Sequence, residues 1–313
     1  MRIVFFGAGG VGGYFGGRLA QAGRDVTFIA RGRHLEAMRT RGLRVDSING
    51  DFVVHPVQAV DDPARLGPVD AVFVAVKAWQ VPEAARLIRP LVGPETVVVP
   101  LQNGVEAPSM LADVLGQAYV LGGFCRIVSY IVEPGHLRHA GGNPPYIAFG
   151  ELDNTRSERV LRLLSIFEGV QGVVAEVPPD IQAAMWGKLM QISAWSGMGA
   201  ITRAPAGVWR SLPETRQMWL NAVYEVLAVA QARGIALTEE VAQKVIAYVD
   251  KLPPDATASM QRDILDGRPS ELEYQNGAVV RLGREVGVDA PTHAFIYYSL
   301  LPQEMKARGQ IDF

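Results

Sequence analysis

Four apolar residues, Ile3-Val4-Phe5-Phe6, run directly into Gly7-Ala8-Gly9-Gly10-Val11-Gly12, and this passage restricts the possible folds of the chain more than any other. A strand that breaks at a glycine turn and resumes as a helix suits the pyrophosphate of a dinucleotide. Gly7 allows the tight turn, Gly9 lets backbone N–H groups approach the phosphates, and Gly12 lets the helix pack close on the sheet. The helix N-terminus then faces negative charge with its unpaired N–H groups and positive dipole end. The helix expected over Tyr14 to Ala22 closes at Gly23, and Asp25-Val26-Thr27-Phe28-Ile29 supplies the next strand, completing a βαβ unit.

An acidic residue about 20 positions beyond the glycines would bond the ribose hydroxyls of NAD. The second strand ends instead in Ile29-Ala30-Arg31-Gly32-Arg33-His34, so the groups in reach are cationic. A guanidinium suits a 2′-phosphate through paired charge-assisted hydrogen bonds, which points to NADP(H) with Arg31 as the contact. A solvated basic loop is the plainer reading of the same residues.

With 313 residues, 49% of them hydrophobic, the chain can fill two domains. Its 30 basic and 32 acidic residues are intermixed without a basic block, which argues against nucleic acid and against a polybasic membrane patch. Cys125 is the single cysteine, so an intrachain disulfide and a thiolate metal cluster are both excluded, as suits a reducing compartment. The apolar start at Ile3 stops after four residues at the glycine turn, unlike a signal peptide. Apolar runs such as Ala71 to Val76 are of strand length, far below the roughly 20 residues that span a bilayer. A soluble, cytoplasmic protein is expected.

Up to about residue 177 short β-rich runs alternate with helical stretches, the signature of a doubly wound sheet. Ala71 to Val76 is apolar on both faces, as a central parallel strand should be. A helix over Val81 to Ile88 and a strand from Thr96 follow. Later β-rich pieces, Tyr119 to Gly122, Ile127 to Val132, His136 to His139, Tyr146 to Phe149 and Val173 to Val177, are expected at the far edge of the same sheet. Pro178-Pro179 breaks the chain. Long helices are then expected over Ile181 to Gly197, Thr215 to Arg233, Glu239 to Asp250, Ala256 to Leu265 and Glu271 to Glu285. The substrate cleft of such a chain is expected between its domains.

Lys77 follows the buried strand ending at Val76, where the carboxyl end of a strand borders the ligand crevice. Its ammonium could hold a substrate carboxylate or the cofactor, or simply point to water. Gln102-Asn103-Gly104 follows the next strand; Asn103 offers one donor and one acceptor to nicotinamide or substrate, though Asn-Gly is also a good turn. Lys188 lies inside the apolar stretch Met185-Trp186-Gly187-Lys188-Leu189-Met190. Desolvation of such an amine brings its pKa toward neutrality and fits it to protonate a carbonyl oxygen while hydride arrives at carbon; a snorkelling lysine is the alternative. Ser259 and Glu271 could bond hydroxyls of substrate or ribose, or start helices, with Ser270 as an N-cap. His136 and His139 lack acidic or thiol partners at ligand spacing. Cys125 and the tryptophans Trp186, Trp195, Trp209 and Trp219 read as core.

Taken in order, Gly7-Ala8-Gly9-Gly10-Val11-Gly12, Arg31, Lys77-Ala78-Trp79-Gln80, Asn103-Gly104, Trp186-Gly187-Lys188-Leu189, and Ser259-Met260 with Glu271 twelve positions on resemble the ketopantoate reductase family (2-dehydropantoate 2-reductases) over essentially the whole chain. The resemblance implies an N-terminal Rossmann-type doubly wound sheet, residues 1–178, and a second, all-α domain for substrate and dimerisation, residues 179–313. It implies NADPH-dependent reduction of ketopantoate to pantoate, a step toward pantothenate and coenzyme A. Lys188 would be the general acid and would also touch substrate, as would Asn103, Ser196 and Ser259. Gly7 to Gly12, Arg31, Lys77, Asn103 and Glu271 would hold NADP(H), Glu271 serving substrate or cofactor. The helix bearing the lysine departs from the family pattern: asparagines are expected four and eight positions after Lys188, where this chain has Ile192 and Ser196. Gln191 or Ser193 would compensate only on a rotated or bulged helix.

Two alternatives follow from the same residues. One is a reductase of a different 2-oxo or 3-oxo acid, with Ile192 marking a less polar pocket. The other is a non-catalytic NADPH-binding sensor, which has no need of Lys188. Apolar helices such as Leu220 to Ala230 are compatible with a homodimer.

Overall fold

The computed structural model describes residues 1–313, the side chains of residues 142 and 143 excepted. The chain divides into two compact units, Met1–Gln102 with Glu106–Ile181, and Asn103–Val105 with Gln182–Phe313.

In the first unit the elements run β1 (Arg2–Phe6), α1 (Gly10–Gln21), β2 (Asp25–Ile29), α2 (Gly32–Arg41), β3 (Leu43–Ser47), β4 (Phe52–Val54), β5 (Gln58–Val60), β6 (Val69–Val74), α3 (Val81–Ile88), β7 (Val92–Pro100), α4 (Ala107–Leu115), β8 (Gly122–Glu133), β9 (His136–Gly150), α5 (Glu158–Ser165) and β10 (Val174–Glu176). Five strands pair in the order β5-β2-β1-β6-β7, all parallel. The chain winds outward to one side of β1 and then to the other, so a crevice opens beyond the carboxyl ends of β1 and β6. β1 shows why it is central. Ile3 and Phe5 pack with Phe28 and Phe73 on one face, while Val4 and Phe6 pack with Val72 and Val74 on the other. A strand buried on both faces has no use for polar alternation.

The later β pieces build a second sheet rather than the edge of the first. β8 and β9 form a long antiparallel hairpin, β3 and β10 pair in parallel with β9, and β4 pairs antiparallel with β3. After one bridge from Val98 to Val120 the chain leaves the first sheet at Gly122-Gly123. The segment expected as a strand at Tyr119 is instead a 3₁₀ turn over Gln117–Tyr119. α1 lies between the two sheets: Tyr14, Phe15 and Leu19 join the phenylalanines of the first sheet to Leu43, Val45, Leu137 and Ile147 of the second.

The second unit is helical, and among its described residues there is no strand. It contains α6 (Ile181–Thr202, its first residue in the other unit), α7 (Ala206–Trp209), α8 (Pro213–Ala232), α9 (Glu239–Asp250), α10 (Ser259–Leu265), α11 (Ala278–Glu285) and α12 (Pro291–Ala307). From Leu189 to Ala200 nearly every residue of α6 is buried, as befits a helix apolar on all sides. Trp186, Trp209 and Trp219 belong to the same core. The helix expected over Glu271 to Glu285 is interrupted by a π-helical turn, Glu273–Gly277, in which the Gly277 N–H reaches the Leu272 carbonyl at 3.0 Å. Among the described residues no helix is long and apolar enough to cross a membrane.

Candidate functional site

The glycine passage has a separate physical task at each position. Gly7 makes the turn off β1 with φ +103°, a backbone conformation that L side chains rarely adopt. Gly9 precedes α1 with extended backbone, φ −71° and ψ −163°, and no side chain caps the helix. A Cβ built on Gly9 meets nothing within 4 Å, whereas one on Gly12 would lie 1.9 Å from the Gly7 carbonyl oxygen. Gly12 therefore serves packing, and Gly9 borders open space at a helix terminus with no acid in its first turn. Gly10 has a task that the sequence reading missed: its Cβ would fall 2.1 Å from the carbonyl oxygen of Ser129, where β8 crosses the loop.

Beside this cradle is a pocket of about 210 Å³ whose lining includes Phe6, Gly9, Ile29, Arg31, His34 and Glu83. Arg31 faces Glu83 at 3.7 Å, both side chains largely exposed. His34 corrects the expectation of a uniformly cationic strand end. Its Nδ1 accepts the Gly135 N–H at 3.1 Å, so Nε2 carries the proton and donates to the Ala8 carbonyl at 2.9 Å. That tautomer is neutral, and burial pushes the imidazole below its ordinary pKa. Open N–H groups, a glycine with room before it, an apolar pocket and one guanidinium at its mouth together fit the pyrophosphate and adenosine of a dinucleotide.

Lys77 is half-buried beyond the end of β6. Its backbone N–H donates to Gln80 Oε1 at 3.2 Å, and its ammonium lies 5.8 Å from the centre of the Trp79 ring.

The remaining candidates belong to the helical unit. Asn103 Nδ2 donates to Glu271 Oε2 at 3.0 Å, and Glu271 is 5% exposed. Gln275, which the sequence reading passed over, donates to the same oxygen at 3.4 Å and accepts from the Ser196 hydroxyl at 2.7 Å. Asn103, Glu271, Gln275 and Ser196 thus form one hydrogen-bonded chain. Ser259 is the first residue of α10, next to Met260, whose sulfur lies 3.8 Å from Ser196 Oγ. Lys188 is half-buried on α6, eight residues before Ser196, with Ile192 buried between them. Ser193 and Gln191 are buried on α6, and the Ser193 hydroxyl has no hydrogen-bond partner among the described residues.

Glu271 is held from behind. The backbone N–H of Ser270 donates to both carboxylate oxygens of Glu304 at 3.0 Å, its hydroxyl donates at 2.5 Å, and Arg308 pairs with Glu304 at 2.7 Å. The Ser270 hydroxyl also accepts the Leu272 N–H at 3.2 Å, so it both caps and anchors the segment.

His136, read as lacking acidic partners, faces Asp46 at 2.9 Å and Glu133 at 3.6 Å, the first brought by β3. Among the described residues no group of histidine, cysteine and carboxylate side chains is arranged to hold a metal ion. Cys125 is buried.

Comparison with known proteins places these features in context. The family model "Ketopantoate reductase PanE/ApbA" matches residues 3–154, and the model of the C-terminal part of the same family matches residues 180–304. A 2-dehydropantoate 2-reductase of Nostoc sp. is 30% identical over 303 residues, covering 96% of this chain and 94% of the relative. An uncharacterized oxidoreductase of Bacillus subtilis, YkpB, is 27% identical, covering 96% and 98%. The crystal structure of 2-dehydropantoate 2-reductase from Geobacter metallireducens superposes with a TM-score of 0.89 at 31% identity, covering 97% of this chain and 99% of that one.

Proposed function

Because the chain belongs to the ketopantoate reductase family, we propose that it reduces 2-dehydropantoate to pantoate with NADPH, a step toward pantothenate and coenzyme A. The observation that carries this reading is the open cradle at Gly9 beside a pocket with Arg31 at its mouth. In this reading the N–H groups at the start of α1 receive the pyrophosphate, and Arg31 leaves Glu83 for the 2′-phosphate, a dianion with three acceptor oxygens. Bound there, NADPH supplies a hydride to the carbonyl carbon. Lys188 gives a proton from its ammonium to the carbonyl oxygen, so the ketone gains one hydride and one proton and leaves as the alcohol. Asn103, Ser196 and Ser259 orient the oxo acid, Glu271 accepts a hydrogen bond from a hydroxyl, and Lys77, beyond the end of β6, serves the cofactor.

The test is NADPH oxidation with 2-dehydropantoate beside 2-oxo acids that lack its hydroxyl. A clear preference for the hydroxylated acid supports the reading, and preference for an unhydroxylated one rejects the named substrate. Buried Ile192, four residues after Lys188, favours a second reading, a reductase of a less polar oxo acid.

A further inference from the structure

We propose that Gln275 is a positioning residue that sets the preference of this site for a hydroxyl-bearing oxo acid. The inference rests on the function proposed above. Gln275 is fully buried, and its carboxamide links Ser196 on α6 to the Glu271 carboxylate. The direction of the chain is set at its Glu271 end, where Gln275 Nε2 and Asn103 Nδ2 both donate to one carboxylate oxygen, leaving Gln275 Oε1 to face the Ser196 hydroxyl at 2.7 Å, for which the Ile192 carbonyl at 2.5 Å is a second acceptor. Two N–H donors converging on one oxygen make Glu271 the acceptor of this cluster, a role it can extend to a further donor. A substrate hydroxyl is such a donor.

The local backbone explains how Gln275 reaches this place. Glu271 and Gln275 are four residues apart and share a helical face. The π-helical turn then inserts an extra residue and seats Asn276 against α6, where its Nδ2 donates to the Ser193 carbonyl at 3.2 Å. Behind it, Glu273 is bound by Arg281 and Tyr297, and Ser270 by Glu304. Both flanks of the segment are fixed, so the Gln275 amide has little freedom to seek other partners. With the Ile192 side chain contributing no polar group, Gln275 brings to Ser196 and Glu271 a side-chain amide that α6 does not supply at position 192 or 196.

Gln275→Met keeps the length of the side chain and removes both hydrogen bonds. It should raise KM for 2-dehydropantoate about tenfold with kcat within about threefold. KM for unhydroxylated 2-oxo acids and the Kd of NADPH, read by its fluorescence, should stay within about twofold. Ser196→Ala reads the same chain from its other end and should lower the hydroxyl preference about threefold. If the chain acts as a unit, the double variant loses no more preference than Gln275→Met alone. Equal loss on both kinds of acid, with the wild-type preference intact, overturns the role of Gln275 and leaves the proposed reduction standing. A wild-type protein that binds NADPH but reduces no 2-oxo acid removes both. If Gln275→Met does not fold, an unchanged preference in Ser196→Ala overturns the inference.

Discussion

Replacing Gly9 with alanine separates binding from folding more cleanly than any other change in the glycine passage. The added methyl meets no heavy atom within 4 Å, and φ −71° is open to any residue. Two small effects on stability oppose each other. Alanine restricts the unfolded chain, a gain of about 0.4–1 kcal/mol, and is a poorer N-cap than glycine by a similar amount, roughly 0.5–1 kcal/mol. The melting temperature should therefore stay within about 3 °C of wild type. The methyl does, however, project into the space assigned to the pyrophosphate. Displacing the phosphates from two backbone N–H groups forfeits about 1.5 kcal/mol each, near 3 kcal/mol in total, or about 100-fold in the Kd of NADPH. Fluorescence titration with NADPH and a thermal melt on the same sample decide the matter. An NADPH Kd within about threefold of wild type, in a normally folded Gly9→Ala protein, would refute the placement of the phosphates over Gly9.

Gly12→Ala should behave in the opposite way: with its Cβ 1.9 Å from the Gly7 oxygen, the helix must move off the sheet, and the melt should fall by several degrees before any ligand is added. Arg31→Ala should weaken NADPH roughly tenfold while leaving NADH little changed; equal affinities for NADPH in variant and wild type would show that Arg31 does not hold the 2′-phosphate. Lys188→Ala should lower kcat by about 10²–10⁴ with the NADPH Kd unaltered, and unchanged turnover would end its assignment as general acid. Burial lowers the pKa of His34 below its ordinary 6.5, and burial does the same to His139 and His293. The unfolded chain therefore takes up protons that the folded chain refuses, so stability is complete above about pH 6.5 and declines as pH falls below it. Gln in place of His34 can accept from Gly135 and donate to Ala8 without titrating, and denaturant melts from neutral to acid pH should show a shallower decline; an identical decline would mean that His34 stays out of the linkage.

How much of this was legible in the sequence depends on how far each determinant lies from the residue it governs. The turn at Gly7 and the packing at Gly12 follow from a few neighbouring residues, and so did their reading. Gly10 and His34 answer to Ser129 and Gly135, more than a hundred positions away, and no local pattern announces those partners. The second sheet was read as scattered pieces because β8 shifts register against β9 at Arg126/Val128, Val128/Ser129 and Ile131/Glu133, which interrupts the alternation that marks a strand. β4 has only three residues, and β3 carries Arg44 and Asp46 within its five, so neither stands out as an apolar run. In the helical unit, periodicity gave a continuous helix from Glu271 and concealed the π-helical turn, since one added residue leaves the apolar spacing almost intact. The available signal for Gln275 was its place four residues after Glu271 on a face that is otherwise buried.

The position of α1 between two sheets constrains how this protein can change over time. Glycines on several sides of one helix let side chains of both sheets pack directly against its backbone, so that helix has no slack in rotation. Adding or deleting a single residue within it would turn everything downstream by about 100°, swinging Tyr14 and Arg18 into neighbours that now fit against bare backbone. The first twenty or so residues are therefore free to vary only as an indivisible block.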